Sequence, residues 1–285
     1  MCTIDRKAQM EALIDRLKLG KFKYQGSERT FGVKLSYQSV VATESVEEFH
    51  KECNRIIQRV NSWKKSERLS HLFLIFVPEH QYPVSDKNSP YYSLKEFILR
   101  QGVPVQMVDA PTLENPDFKD LNLALNIVAK CGGTPWVLPD ELPDVDFFVG
   151  LSYTQSLGKS NPKRLMGFAN IFNSYGRWKF YHGNAQSFDY AERHRYYRDL
   201  VRVTMERMDL SQTPSVHFHY SAKFSREDRA AILEAATSVR PRGRYTFVWI
   251  NTTHIVRLYD SQAQSDGSLA RGAYVVTSRH QFFLS

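Results

Sequence analysis

Lysines and carboxamides recur at helical spacing in two stretches of the 285-residue chain. Asn122, Asn126 and Lys130 lie four residues apart, so on a helix they line one face. Lys130 falls at the end of that stretch beside Gly132 and Gly133, where the missing Cβ lets a ligand approach the backbone. A cation and two amides converging on one spot suit an anion. The same pattern also describes a solvated helix edge whose last lysine complements the helix C-terminus. Upstream, Tyr91 and Lys95 share a helical face, and Gln106 follows across the next strand. A ring can stack on a base or sugar while an ammonium takes a phosphate as a point charge. A plain surface pair has the same spacing.

Other chemistries find less support. His217, His219 and His254 suggest a metal site, yet His217 and His219 alternate on a strand and no acid or thiol completes a recognisable ligand spacing; packing or polar-face roles are expected. Cys131 has no partner pattern for a nucleophile, and Gly132-Gly133 alone makes no dinucleotide fingerprint. Lys159, Lys163 and Arg164 flank a loop with Ser160 and Asn161. Arg195, Arg198 and Arg202 form a stripe on one helix with Tyr196 and Tyr197 among them. Both suit a surface for a nucleic-acid backbone; the helix equally suits a solvated face packing its rings inward.

These residues need positioning elements. A helix is expected from Arg6 to Leu19 and a strand over the alternating segment Gly32 to Val41. Ser45 and Glu48 have capping-box spacing ahead of a stripe at Phe49, Cys53, Ile56, Ile57 and Val60. Leu72 to Val77 reads as a buried strand, Leu94 to Gly102 as a helix, Val103 to Val108 as a strand, and Leu121 to Lys130 as a helix stopped by Gly132-Gly133. This β-α alternation implies an α/β layer with a mostly parallel sheet. The pattern pauses around Pro139 to Pro143, which sets domains at residues 1–140, with the first thirty or so unassigned, and 141–285. The second half reads as strands at Val145 to Gly150, Leu165 to Phe172 and Arg177 to Tyr181, a helix from Tyr190 to Met208, a strand Val216 to Tyr220, a helix Arg226 to Thr237, and strands Tyr245 to Ile250 and Ala273 to Leu284. Three strands, helix, strand, helix, strand is the order of an RNase H-like fold.

Composition sets the class. Hydrophobic residues make up 42% and charged residues 24%, the balance of a folded globular chain. The 38 Lys and Arg outnumber the 30 Asp and Glu, and a net charge of +8 favours polyanionic partners. The six-residue apolar run Leu72 to Val77 is far short of the roughly 20 residues that span a bilayer. With no apolar leader and only Cys2, Cys53 and Cys131, a reducing cytoplasmic location is expected and a membrane partner is not.

Taken together, the motifs resemble those of Argonaute/Piwi proteins. AKCGGTPWVL (129–138) is similar to the end of the MID domain, and YYSLK followed by VPVQMVD (91–95 and 103–109) to its pocket for the 5′ phosphate of a guide strand. DFFVGLSYT (146–154), VHFHYSAKFSRED (216–228), and FVWINTTHIVRLYD with GAYVV (247–260 and 272–276) resemble the first, fourth, fifth and sixth PIWI strands. The resemblance spans roughly residues 30 to 285 and is nearest to short prokaryotic Argonautes and archaeal Piwi proteins. It implies an α/β fold: a Rossmann-like MID domain followed by an RNase H-like PIWI domain. The chain stops at Ser285, about where the family has a final stretch, so an incomplete C-terminus is expected.

By that resemblance Tyr91 caps the first guide nucleotide, Lys95, Gln106 and Lys130 hold its 5′ phosphate, and Asn122 and Asn126 support them. Lys159, Lys163 and Arg164 are expected as backbone contacts from their basic loop, and Arg257 from its match to a basic position in PIWI domains. A divalent cation, Mg²⁺, completes the pocket in family members. Active PIWI domains cut with carboxylates holding two metal ions, but Ser152 follows Gly150-Leu151, and Ala222 follows Tyr220-Ser221, where aspartates belong. Asp144 and Asp146 lie out of register, and Asp189 and Glu192 fit a helix start. No catalytic residue and no catalytic cofactor is therefore expected. The implied function is binding of a 5′-phosphorylated guide, RNA or DNA, and recognition of complementary nucleic acid, DNA being the expected target, without cutting. An effector, such as a TIR-type or sirtuin-type NADase or a nuclease, would deliver the defence output. The alternatives are an RNase H-like nuclease with rearranged acids and a protein-interaction module on the same fold.

Overall fold

A computed structural model describes residues 1–37, 40–60, 71–78, 89–155, 164–183, 187–251, 253, 256 and 273–284. The chain divides into two compact units, Met1–Asp140 and Glu141–Ser285. Among the described residues no helix is long and apolar enough to cross a membrane.

The first unit holds helices α1 (Lys7–Leu19), α2 (Ser27–Phe31), α3 (Phe49–Val60), α4 (Pro90–Arg100), α5 (Ala110–Glu114) and α6 (Asp120–Lys130), with strands β1 (Cys2–Thr3), β2 (Ala42–Thr43), β3 (Phe73–Val77) and β4 (Val105–Asp109). β1 pairs parallel with β2, and β3 parallel with β4, with Leu74 opposite Gln106. The Met1 amino group donates to the Leu74 carbonyl at 2.6 Å and the Phe76 N–H to the Met1 carbonyl at 2.9 Å, which lays β1 beside β3. Successive strand residues face opposite layers. Phe73, Ile75 and Val105 join Phe49, Cys53 and Ile57 of α3 and Leu94 and Ile98 of α4. Phe76 and Val108 join Met10, Leu13 and Leu17 of α1 and Leu123, Ala124 and Ile127 of α6. With helices on both faces, the strand must be apolar at every position, which is why Phe73 to Val77 reads as an unbroken run.

The second unit contains strands β5 (Phe147–Gln155), β6 (Arg164–Asn173), β7 (Trp178–Gly183), β8 (Ser187–Phe188), β9 (Ser215–Tyr220), β10 (Arg244–Trp249), β11 (Tyr274–Ser278) and β12 (Gln281–Leu284), and helices α7 (Arg193–Arg207) and α8 (Arg226–Val239). Its main sheet runs β10-β9-β5-β6-β7, with β5, β6 and β7 antiparallel neighbours and β9 parallel to both β5 and β10. Three strands, helix, strand, helix, strand is the order expected from the sequence. One sheet face carries Val149, Leu151, Ala169, Ile171, Val216 and Phe218, packed with Tyr197, Leu200 and Met205 of α7 and Ile232 and Ala236 of α8. Tyr196 donates to the Gly167 carbonyl at 2.6 Å, so close that a Cβ on Gly167 would lie 2.2 Å from its ring.

Three expectations fail for identifiable reasons. Gly32 to Val41 forms no strand over residues 32–37 or at 40 and 41. Gly32 instead ends α2 in a left-handed conformation, φ 68°, and the alternating Leu35 and Val40 pack as coil against the α1 cluster. Ser45 makes no capping bond to the helix; a 3₁₀ turn at Val46–Glu48 delays α3 to Phe49, and the Ser45 hydroxyl bonds Glu47, whose carboxyl it holds below the usual range. The reciprocal capping box forms at Ser225 and Asp228, ahead of α8. Ala273 to Leu284 is not one strand but the antiparallel hairpin β11–β12, broken at Arg279 and His280.

Candidate functional site

The periodic side chains of α4 and α6 meet around β4. Pro90 fills the first turn of α4, where its missing N–H costs nothing. One turn on, Lys95 donates to the Tyr91 hydroxyl at 3.2 Å, its Nζ lying 5.0 Å from the Tyr91 ring centre. Lys130 closes α6 and donates to Gln106 Oε1 at 2.7 Å and to the Val105 carbonyl at 2.9 Å. Gln106 donates its amide N–H to the Met107 carbonyl at 2.8 Å, so its oxygen is the end turned toward the lysine. Partial burial, and then the charge of Lys95, push Lys130 below its ordinary value. The two ammonium groups therefore sense each other, and every side-chain partner of either is neutral among the described residues. Asn122 and Asn126 lie exposed on the same helix and make no side-chain hydrogen bond among those residues. Tyr91 with Lys95 and Gln106 with Lys130 thus form two hydrogen-bonded pairs on elements that pack on or belong to β4, while Asn122 and Asn126 share only the helix of Lys130.

Both ends of α6 are fixed. Gly132, at φ 82°, turns the chain back so that the Gly133 N–H reaches the Val128 carbonyl at 2.9 Å. A Cβ on Gly133 would lie 2.7 Å from the Val128 side chain. At the other end Arg16 of α1 donates to Asp120 at 2.7 Å and to Asp117 at 2.5 Å. Arg16 and Asp120 keep only 9% and 4% of their side-chain exposure.

This donor set offers cations and amides but no carboxylate, and among the described residues no group of three His, Cys, Asp or Glu could hold a metal ion. Mg²⁺, which prefers carboxylate and phosphate oxygens, would find no carboxylate among these groups.

In the second unit Ser152 lies within β5, paired with Phe168 of β6, and Ala222 lies two residues past the end of β9. Leu151 pairs with Tyr220, so Ser152 follows that pair by one residue and Ala222 by two. Beside them Tyr153 meets Tyr220 at a tilt and Tyr197 meets it edge to face, ring centres 6.1 and 5.8 Å away. Burial, then shared hydroxyl bonds, raise the Tyr220 phenol well above its ordinary value. Asp146 sits at the opposite end of β5 and accepts from the Ser215 N–H at 2.8 Å. Six residues of extended chain separate it from Ser152, roughly 20 Å. Asp144 faces Arg244, 4.0 Å away. Asp189 accepts from the Ala191 N–H at 3.0 Å, a turn cap ahead of α7, and Glu192 pairs with Arg195. His217 and His219 flank the Phe148 ring edge to face; burial lowers both, helped at His217 by Arg244 and at His219 by His217.

The basic residues divide in a way the sequence does not foretell. Arg195, Arg198 and Arg202 each hold a glutamate at 3.1 Å, namely Glu192, Glu234 and Glu206, while Tyr196 and Tyr197 turn inward. Arg177 and Lys179, which the motif reading passes over, are exposed and make no ion pair among the described residues. Between and after them Trp178 and Tyr181 are 51% and 65% exposed. The signal was present: residues 174–183 contain five cationic or exposed aromatic side chains, Tyr175, Arg177, Trp178, Lys179 and Tyr181, and no acid. Lys159, Lys163, Arg257 and His254 lie outside the described residues, as does the Arg164 side chain.

No family model matches the chain. An Argonaute protein of Aquifex aeolicus (strain VF5) is 24% identical over 208 residues, covering 70% of this chain and 28% of that protein. The crystal structure of A. aeolicus Argonaute superposes with a TM-score of 0.51 at 20% identity, over 86% of this chain and 32% of that one. The chain spans less than a third of either relative. In sequence and in mixed α/β fold it is similar to prokaryotic Argonaute proteins.

Proposed function

We propose that the chain binds a nucleic-acid strand by its 5′ phosphate and uses that strand to recognise a complementary one without cutting it. The observation that carries this reading is the pair of ammonium groups on the two helices that pack on β4, Lys95 and Lys130, whose hydrogen-bond partners among the described residues are all neutral oxygens. A terminal phosphate carries nearly two charges, so it can satisfy both lysines at once where an internal phosphodiester offers one. Tyr91, ahead of Lys95 on α4, suits stacking on the terminal base or sugar. Asn122 and Asn126 add amide donors along the approach to Lys130.

The non-cutting part rests on Ser152 and Ala222: neutral side chains at the two positions where the resemblance expects aspartates cannot hold two divalent ions. Asp144 and Asp146 supply no substitute, since one faces Arg244 and the other caps the Ser215 N–H far from Ser152. Target reading would come from base pairing, with RNA guiding toward DNA, and an associated effector would carry any enzymatic output. The relative's name supports the nucleic-acid reading at the level of the fold.

The test compares matched oligonucleotides bearing a 5′ phosphate or a 5′ hydroxyl, together with sequencing of the nucleic acid that copurifies. Preference for the phosphate, lost in Lys130→Ala, supports the proposal. Equal affinity for both ends rejects it, and absence of copurifying oligonucleotides favours an interaction module instead. Metal-dependent cleavage abolished by Asp146→Asn would overturn the non-cutting half.

A further inference from the structure

Among the described residues, the main sheet of the second unit has helices packed on one face only. Every buried residue of α7 and α8 that joins the sheet core packs with the side of Val149, Leu151, Ala169 and Ile171. Cross-strand partners share a face, so the register assigns the other side. One row reads Trp178, Phe172, Phe148 and His217 across β7, β6, β5 and β9. The adjacent row reads Tyr181, Asn170, Gly150 and His219. In an unbroken strand Trp178 and Tyr181, three residues apart, would point to opposite faces. The pairing shifts between Ile171 and Phe172, leaving Lys179 as an extra residue, and this bulge turns both rings to the same side.

On the β6 ruler their partners, Phe172 and Asn170, are two residues apart, roughly 7 Å. That is about twice the spacing of stacked bases, room for one base against the two rings. On the adjacent strand β6, Asn170 offers an amide that can bond a base edge, and Arg177, exposed and without an ion pair among the described residues, precedes Trp178. Two planar rings, a neighbouring amide and an exposed arginine describe the chemistry of single-stranded nucleic acid, not of an aliphatic protein anchor.

We infer that this edge of the sheet, centred on Trp178 and Tyr181, is a second nucleic-acid contact that takes unpaired bases independently of the 5′ end. It goes beyond the phosphate reading and stands without it. The test measures binding of a single-stranded oligonucleotide and of the blunt duplex of equal length, each with a 5′ hydroxyl. Trp178→Ala and Tyr181→Ala should each weaken the single strand about tenfold and leave the duplex, whose bases are already stacked, within twofold. Trp178→Phe should retain most of the affinity, and Arg177→Gln should reduce the salt slope by about one. These losses should appear equally in a Lys130→Ala background, which separates this surface from the phosphate site. Unchanged single-strand affinity in Trp178→Ala with Tyr181→Ala overturns the inference. So does an equal loss for single strand and duplex in a variant whose urea unfolding matches the parent protein.

Discussion

Two sets of cations, Lys95 with Lys130 in the first unit and Arg195, Arg198 and Arg202 in the other, share a sequence pattern: helical spacing near aromatic rings. Their surroundings differ. The arginines each meet a glutamate, two from their own helix or its first turn and one from α8. The lysines meet a phenol, an amide oxygen and a backbone carbonyl. Spacing therefore locates a cation, but the nearest acid decides whether its charge is available to a ligand. Arg16 marks the far end of the scale, buried and matched by two carboxylates, a cation spent wholly inside the fold.

The comparison can be strained from both sides. The largest effect is expected at Arg16→Met, which leaves the Asp120 carboxylate buried without its partner and should cost about 3–5 kcal/mol in urea unfolding. Adding Asp120→Leu should recover much of that loss; no recovery would mean that the pair does more than match charges. Next, Lys130→Ala should weaken a 5′-phosphorylated strand by roughly 10- to 100-fold in a direct titration, with the 5′-hydroxyl strand little changed, because charge-assisted hydrogen bonds contribute about 1.5–3 kcal/mol. Lys95→Ala should show the same pattern at the lower end of that range.

The third effect concerns pH. Lys130 loses its proton more readily than an ordinary lysine, through partial burial and the repulsion of Lys95. The charged form binds the anion, so the preference for a 5′ phosphate should fade as pH rises, before exposed lysines titrate. Lys95→Ala removes the repulsion and should move the fade to higher pH, which a binding series across the alkaline range reads directly. The smallest effect is expected at Arg198→Ala or Arg202→Ala. These exposed pairs should change stability by less than about 1 kcal/mol and nucleic-acid affinity less than twofold; a large drop in affinity would erase the distinction between the two sets.

Periodicity made part of this site legible. The i, i+4 pair Tyr91 and Lys95 meets as spacing requires, and Gly132-Gly133 ends α6 where the sequence stops it. The α/β order of both units followed from apolar runs bounded by turn residues. What spacing could not reveal is partnership across distance. Lys130 finds Gln106 twenty-four residues earlier, and Arg198 finds Glu234 on a different helix. Nor could alternation alone separate a strand from packed coil, as Leu35 and Val40 illustrate. The bulge at Lys179 lies beyond any period-two reading, because one extra residue reverses which side every following residue faces.

The ion pairs at the start of α6 set a practical bound on dissection. Arg16 reaches Asp117 and Asp120 from 101 and 104 positions earlier in the chain. A fragment begun at Phe49, although it would carry Tyr91, Lys95, Gln106 and Lys130, would leave two carboxylates facing nothing and the apolar side of α6 open to water. Whoever wishes to graft the phosphate cradle onto another scaffold must bring α1 with it.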